Sequence, residues 1–525
     1  MHHRMIVLLV IVALLVSCAP QAPVRVDSAP LALVDSTQQS ALATIVAGTL
    51  APTVTPTAPP TPTPTITPVP SATPAPSAVP GEPDQAVLDA RTQYAMDVEF
   101  SYAERRGVVQ QKISYTNRSG DSISDLRLMV ELFAYHDLFS FTGLWWEDGQ
   151  EIENAAWENI QVRVPLREPL LPGQSVTLKT AYEFRLPSQS EVAGERPIPL
   201  GYTGRQVNLV DWYPFIPPYR SGKGWLAHPP SYYGEHLVFD LADYEINLKL
   251  TDNRSDLVVA ASSSYQEDGD WLRFKRQGAR NFALSIGHEY LTESQEVDGI
   301  TVTSYYFPLN AVAGKRALQT TVEAVELFNE IFGPYPHDTL VVVEADFYDG
   351  MEYDGLYFLS RAFYNIHKGD PGDYLVAIAA HETAHQWWYG IVGSDQANEP
   401  WLDEALSTYS EHLFYEHYYP EAMDWWWYYR INYYRPHGWV DTSVYNPEGT
   451  LQTYQDYRNA VYLNGAHFFE DLRQTVGDEA FFAFLKDYTE RFAGQVAMRE
   501  DFFALLTQHT SEDLGPLKTK YFANP

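Results

Sequence analysis

Apolar and polar residues alternate with a period of two through much of residues 86–293, and further along the period lengthens to that of a helix. In "GVVQQKISYTNRSGDSISDLRLMVELFAY" the alternation holds on both sides of "NRSGD", which reads as a hairpin turn between two strands. "GEHLVFDLADYEINLKL" and "RNFALSIGHEY" continue it. A strand with one buried face shows this pattern, so residues 86–293 are expected to form a β-rich domain, a sandwich or saddle. The texture changes over 294–525. "TVTSYYF" and "DTLVVVEADF" predict strands, and "AGKRALQTTVEAVELFNEIFG" between them predicts an amphipathic helix stopped at Gly333. "MEYDGLYFLS" predicts one further strand, and from 372 onward the chain reads as mainly helical. The expected fold class is multidomain α+β.

Before residue 86 the periodicity is lost. Residues 19–85 contain "TVTPTAPPTPTPTITPVPSATPAPSAVP", whose proline density forbids a packed helix and favours polyproline II. This segment reads as a tether with a reach on the order of 100–200 Å. Residues 1–18 read as a signal peptide. Arg4 supplies the positive start, and Met5 to Val16 form an apolar run suited to a signal core and short for a membrane span. The run ends Leu15-Val16-Ser17-Cys18, which resembles a bacterial lipobox, and Cys18 is the single cysteine of the chain. The expectation is a lipoprotein anchored outside the cytoplasmic membrane through lipid on Cys18. No other stretch is long and apolar enough to span a bilayer.

Composition narrows the function classes. A formal net charge of −33 argues against a nucleic-acid partner, which needs a basic surface. With 525 residues and 45% hydrophobic content, the chain can build two or three domains. Asn117 and Asn253 sit in N-x-S sequons, read here as chance matches. The sequence does not give the oligomeric state.

The chemistry centres on "DYLVAIAAHETAHQWWYG". Asp373 is placed to cap a helix and Gly390 to end it. Tyr374, Ile378, His381 and His385 then share one face. Two imidazoles one turn apart suit adjacent corners of a tetrahedral zinc, and Glu382, rotated from that face, suits a general base toward an attacking water. Catalytic zinc takes three protein ligands. Eighteen residues separate His385 from Glu404, in "EPWLDEALSTYSEHLF", a second helix starting near Pro400 that can bring Glu404 beside the histidine pair. Each imidazole also calls for a partner on its other nitrogen, which the sequence does not name. "DWWWYYR" at 424–430 and Trp387–Trp388 read as core or subsite lining, and His412, His417 and His467 as structural or exposed.

These motifs resemble the zinc aminopeptidases typified by aminopeptidase N, within the gluzincin metallopeptidases. His381-Glu382-x-x-His385 followed by Glu404 is similar to the family's zinc-binding pattern. "WLDEALSTYSE" resembles its W-L-N-E-G-F-A-x-Y-x-E, with Asp403 at the usual Asn. "VYLNGAHFFEDLRQTVGDEAFFAFLKDY" resembles the stretch that carries the catalytic tyrosine, which makes Tyr462 that residue. "DGMEYDG" resembles the G-x-M-E-N strand, with Gly350, Met351 and Glu352 matched and Tyr353 at the Asn. The resemblance is specific over about 330–485. It implies a thermolysin-like α/β catalytic domain over 294–525, in a form without the family's C-terminal helical domain. It implies one Zn2+ per chain on His381, His385 and Glu404, with Glu382 as general base and Tyr462 as donor to the oxyanion. Glu352 would bind the free α-amine of a peptide substrate, beside Gly350 and Met351. The expected activity is removal of N-terminal residues from peptides. The alternatives are a zinc endopeptidase on the same core and a non-catalytic surface binding module.

Overall fold

Strict alternation of buried and exposed residues builds the first sheet. In Thr92–Ser101, Tyr94, Met96, Val98 and Phe100 point inward between exposed Gln93, Asp97 and Glu99. The computed structural model describes residues 90–189, 198–231, 233–252, 255–445 and 454–525. The expected signal peptide and tether, Cys18 and Asn253 lie outside the described residues.

Seven strands form that sheet, in the order Tyr265–Asp268, Trp271–Ala279, Ala242–Leu250, Thr92–Ser101, Arg106–Thr116, Ser175–Arg185 and Phe139–Trp146. Thr92–Ser101 runs parallel to Ala242–Leu250, and its other pairing is antiparallel. A three-stranded sheet (Ile123–Met129, Gln161–Leu170, Ala156–Glu158) and a four-stranded one share its apolar core. The expected hairpin at "NRSGD" is not one. Arg106–Thr116 and Ile123–Met129 belong to different sheets, and the segment between them is a crossover. Its turn chemistry is real: the Asn117 side chain donates to the carbonyls of Asp121 and Leu170 at 2.8 Å. The hairpin lies instead at residues 102–105, where Arg105 takes a left-handed φ of 57°. Periodicity gives a strand its faces but not its ladder partner.

The second unit of structure is a five-stranded sheet ordered Leu291–Val297, Ile300–Tyr306, Thr339–Ala345, Leu356–Ser360 and Gly350–Tyr353. The three central strands are parallel. Between Ile300–Tyr306 and Thr339–Ala345 runs helix α1 (Ala311–Phe332), which Gly333 follows, as its spacing predicts. The single strand expected in "MEYDGLYFLS" is a hairpin, because Asp354-Gly355 forms a tight turn with Gly355 at φ 80°. That turn makes Gly350–Tyr353 the sheet's edge.

Helix α2 (Tyr374–Ala384) lies against this sheet and against α1, and every one of its residues is buried. Asp373 caps it, accepting from the Val376 N–H at 3.1 Å. It ends earlier than its sequence predicts. His385 is already its C-cap, and the chain continues to Gly390 through wider turns, with the Gly390 N–H reaching the His385 carbonyl. Trp387 and Trp388 pack here as expected. Trp387 meets Phe328 of α1 edge-on and donates to the Gly333 carbonyl, while Trp388 donates to Ser410. A 3-10 turn, Pro400–Leu402, leads into α3 (Glu404–Tyr418), and α4 (Asn464–Val476) packs on α3. Among the described residues, no helix is long and apolar enough to cross a membrane.

The β-rich region grips the exit of α2 directly. Arg280, 1% exposed, donates to the carbonyls of Phe239, Tyr389, Gly390, Ile391 and Gln495. Its backbone N–H and the Arg276 guanidinium hold Asp354, at the tip of the edge hairpin.

Candidate active site

Helices α2 and α3 bring His381, His385 and Glu404 together. Glu404 Oε2 lies 3.3 Å from His381 Nε2 and 3.5 Å from His385 Nε2. All three residues are almost fully buried. Ligands about 2.0–2.1 Å from a tetrahedral zinc stand about 3.3 Å from each other, so these separations fit the ion. The donor chemistry fits as well. His385 Nε2 is buried without a hydrogen-bond partner, while both Nδ1 atoms are already engaged. Two overlapping clusters of metal-ligating atoms surround His385, one adding His381 and Glu382, the other Glu352 and Glu404. The engaged Nδ1 atoms decide between them: both imidazoles can offer only Nε2, and both Nε2 atoms face Glu404.

The partners that the sequence left unnamed are Glu411 and Asp403. His381 Nδ1 donates to Glu411 Oε1 at 2.9 Å, and His385 Nδ1 donates to Asp403 Oδ1 at 2.6 Å. Glu411 is in turn held by Arg430 at 2.7 and 2.9 Å and by the Trp426 indole at 2.9 Å. Arg430 and Glu411 are both buried, and removing one would leave the other's charge unpaired, at a cost of about 3–5 kcal/mol. The aromatic run at 424–430 therefore does more than line the core, since it carries the support of a zinc-binding histidine. Its outer residues stay on the surface, Tyr428 among them. Of the other histidines, His412 is buried against Tyr409, Trp426 and Trp427, His417 is exposed and His467 is half-buried.

The charges settle around this frame. Burial lowers His381, but its hydrogen bonds with Glu404 and Glu411 outweigh that and carry it up to about 8. Burial raises Glu404, and the two imidazoles overcome it and hold the carboxyl well below the usual range. Glu382, 3% exposed, is pushed up to about 8 by burial against the opposing pull of both histidines. Its Oε2 has no hydrogen-bond partner.

The edge strand Gly350–Tyr353 closes the other side. A Cβ on Gly350 would lie 2.0 Å from Glu382 Oε1, so only glycine lets the strand pass this close to the base. Glu352, 5% exposed, has a ligand atom within 4.8 Å of those of His385 and Glu404. It lines a cavity of about 20 Å³ with Asp211, Glu235, Asn281, Met351 and Gln396. Burial raises Glu352 well above its ordinary range, and the carboxylates of Glu235, Glu404 and Asp403 act in the same direction against His385. Gln396 bridges the two halves, donating to Asp403 at 2.7 Å and to Glu352 at 3.3 Å. Tyr462 stacks over His381 and donates its hydroxyl to Glu404 Oε1 at 2.5 Å. Burial keeps that phenol protonated. All of the site residues expected in the folded region thus fall in one place.

A paired histidine motif on one helix, a carboxylate from the next and an unpartnered glutamate beside them form a site whose donor set and spacing fit one zinc ion. Residues 316–521 match the peptidase family M1 domain. The chain is 27% identical over 251 residues to aminopeptidase M1-A of Oryza sativa subsp. japonica, covering 45% of this chain and 28% of that protein. It is 22% identical over 261 residues to leucyl aminopeptidase of Saccharolobus solfataricus, covering 46% and 32%. The matches thus span about a third or less of those curated relatives. The fold is also similar to an M1 zinc metallopeptidase variant from Deinococcus radiodurans bound to a Tyr-Ser-Ala substrate, with a TM-score of 0.59, 18% identity, and coverage of 83% of this chain and 94% of that one.

Proposed function

We propose that this chain is a zinc aminopeptidase that removes N-terminal residues from peptides. The observation that carries the reading is Glu352, buried in the same pocket as the zinc-binding residues. A cavity of about 20 Å³ walled by carboxylates suits a group the size of one water, such as a protonated amine. The edge strand offers its free side to an extended peptide. The aminopeptidase names of the sequence relatives and the peptide bound to a structural relative support the same reading.

Zinc, when bound, supplies Lewis-acid polarisation of the scissile carbonyl and lowers the pKa of the attacking water. Glu382 accepts the water's proton and returns it to the leaving amine. Tyr462 holds a phenolic proton at the rim of the site, and by exchanging Glu404 for the developing oxyanion it stabilises the transition state. Glu352 fixes the amine end, so that the first peptide bond stands at the base.

Glu352→Ala tests this. Truncating one partner of a partly desolvated ion pair costs about 2–5 kcal/mol, so kcat/KM on free-amine peptides is expected to fall by tens to thousands. N-acetylated peptides should be poor substrates of the parent and little affected by the change. Efficient cleavage of blocked peptides by the parent, with Glu352→Ala silent on both kinds, would replace this reading with an endopeptidase.

We further propose that the chain is a lipoprotein held at the outer side of the cytoplasmic membrane, a reading supported by Leu15-Val16-Ser17-Cys18. The Cys18→Ser protein should then leave the membrane fraction with its peptidase activity intact. Its retention there would point to an uncleaved N-terminal anchor instead.

A further inference from the structure

Asp349 leads into the edge strand, and its backbone fixes where its side chain stands. The Asp349 carbonyl accepts from the Ser360 N–H at 2.9 Å, so it points into the sheet. In a trans peptide the following N–H points the opposite way, so the Gly350 N–H faces the free edge. That N–H donates to Asp349 Oδ1 at 3.0 Å. The carboxylate therefore stands on the free edge as well, the side an extended peptide takes. Its distance from the base is bounded. A Cβ on Gly350 would lie 2.0 Å from Glu382 Oε1, and two bonds of about 1.5 Å join that point to the Gly350 nitrogen. Asp349 Oδ1 thus lies within about 8 Å of Glu382 Oε1. The charge has no counterpart in the fold. Asp346 and Asp354, which flank it in the chain, are held by Arg205 and Arg276. Among the described residues Asp349 forms no ion pair, and its hydrogen bond to the neighbouring N–H engages one oxygen alone. The side chain is half-buried, and Tyr348 before it is 52% exposed, so the edge opens to solvent here. Burial raises the Asp349 carboxyl, against the pull of the Gly350 N–H, Arg430, Arg458 and His381. A cation arriving beside it would act with that pull and favour the ionised form.

Building on the aminopeptidase reading, we propose that Asp349 binds the cationic side chain of a substrate's second residue, so that the enzyme favours peptides with lysine or arginine just past the scissile bond. The order of groups along the strand carries this. Glu352 holds the amine end, and Glu382, against Gly350, serves the scissile bond. The peptide then runs from Glu352 toward Asp349, antiparallel to the strand, and the residue it brings to Asp349 is the one after the bond. Asp349 and Glu352 are three positions apart, about 10 Å along a strand. Two substrate residues span about 7 Å of that, and the four-carbon stem of a lysine covers the remainder. A carboxylate already held by a backbone N–H is preorganised, so little ordering is lost when the cation arrives.

The test gives the zinc-loaded protein three tripeptides that differ only at the second residue, which is lysine, norleucine or glutamate, and follows release of the first amino acid. The parent should prefer lysine to norleucine by about 10- to 100-fold in kcat/KM, as expected for a charge-assisted hydrogen bond, with glutamate the poorest of the three. Asp349→Asn keeps the size of the side chain and an acceptor for the Gly350 N–H but removes the charge. It should bring the lysine-to-norleucine ratio close to one, with the loss falling on the lysine peptide. Added salt should shrink the ratio in the parent and leave it near one in the variant. Equal kcat/KM for lysine and norleucine in the parent overturns the inference. So does a lysine preference that survives in Asp349→Asn, or an Asp349→Asn protein slowed on all three peptides alike, which is the signature of a structural role. Absence of hydrolysis of all three peptides by the parent is a different result, which overturns the aminopeptidase reading and this inference with it.

Discussion

The Glu382→Gln protein is expected to fold, to retain zinc and to turn over about 10²- to 10⁴-fold more slowly than the parent, the usual contribution of a general base. The amide has nearly the shape of the carboxylate it replaces. Shape is critical here, because Glu382 is 3% exposed and the Gly350 backbone leaves no room for a larger group. What the amide lacks is the capacity to accept a proton. Glu382 Oε2 has no hydrogen-bond partner, so the substitution breaks no contact of that atom, and the folded state should be little disturbed. Burial favours the protonated carboxyl, and a cation beside it favours the ionised form that a base needs, so base strength at this position is tied to metal occupancy. Single-turnover kinetics with metal analysis on the same sample checks the prediction. Normal turnover by a zinc-loaded Glu382→Gln protein would place the base elsewhere.

Glu404→Ala should act on the metal rather than on the proton. Zinc sites of four protein ligands bind with about 10–16 kcal/mol, which gives about 2.5–4 kcal/mol for each ligand and a loss of about two to three orders of magnitude in affinity. The change also strips Tyr462 of its acceptor and leaves His381 and His385 without the carboxylate between them. Activity should vanish at limiting zinc and return only in part when zinc is raised. Glu411→Gln offers the contrast. It reaches the metal only through the far nitrogen of His381, although it also unpairs Arg430, so a loss of about 10- to 100-fold in affinity is expected. Competition titration with a chelator orders the three proteins. An unchanged affinity in Glu404→Ala would remove Glu404 from the ligand set.

The ligands were legible in the sequence because helix geometry fixes them: a spacing of four puts His381 and His385 on one face, whatever surrounds them. Glu411 was within reach too, since it lies seven residues beyond Glu404 on the same helix and so on nearly the same face. Arg430 and Gln396 carry no such signal. Both reach the site through loops and irregular helix, where spacing says nothing about direction. The zinc helix itself is buried on every side, so no amphipathic stripe marks its inner face. In the β-rich region, alternation gave the strand Arg106–Thr116, whose residues alternate between buried and exposed, and misjudged the hairpin at "NRSGD". Which strands pair is decided by the core that two sheets share, and that information is spread along the chain rather than held in any one stretch.

Arg280 bears on how the chain comes apart. Its guanidinium lies on the β-rich side, yet four of its five carbonyl partners belong to segments after the zinc helix. A fragment cut near residue 293 would strip those carbonyls of their donor and strand a buried cation in the other piece. The two regions are thus expected to unfold in one cooperative transition, in which the N-terminal sheets and the metal site are lost together. Their boundary is a line in sequence but not a point of mechanical independence.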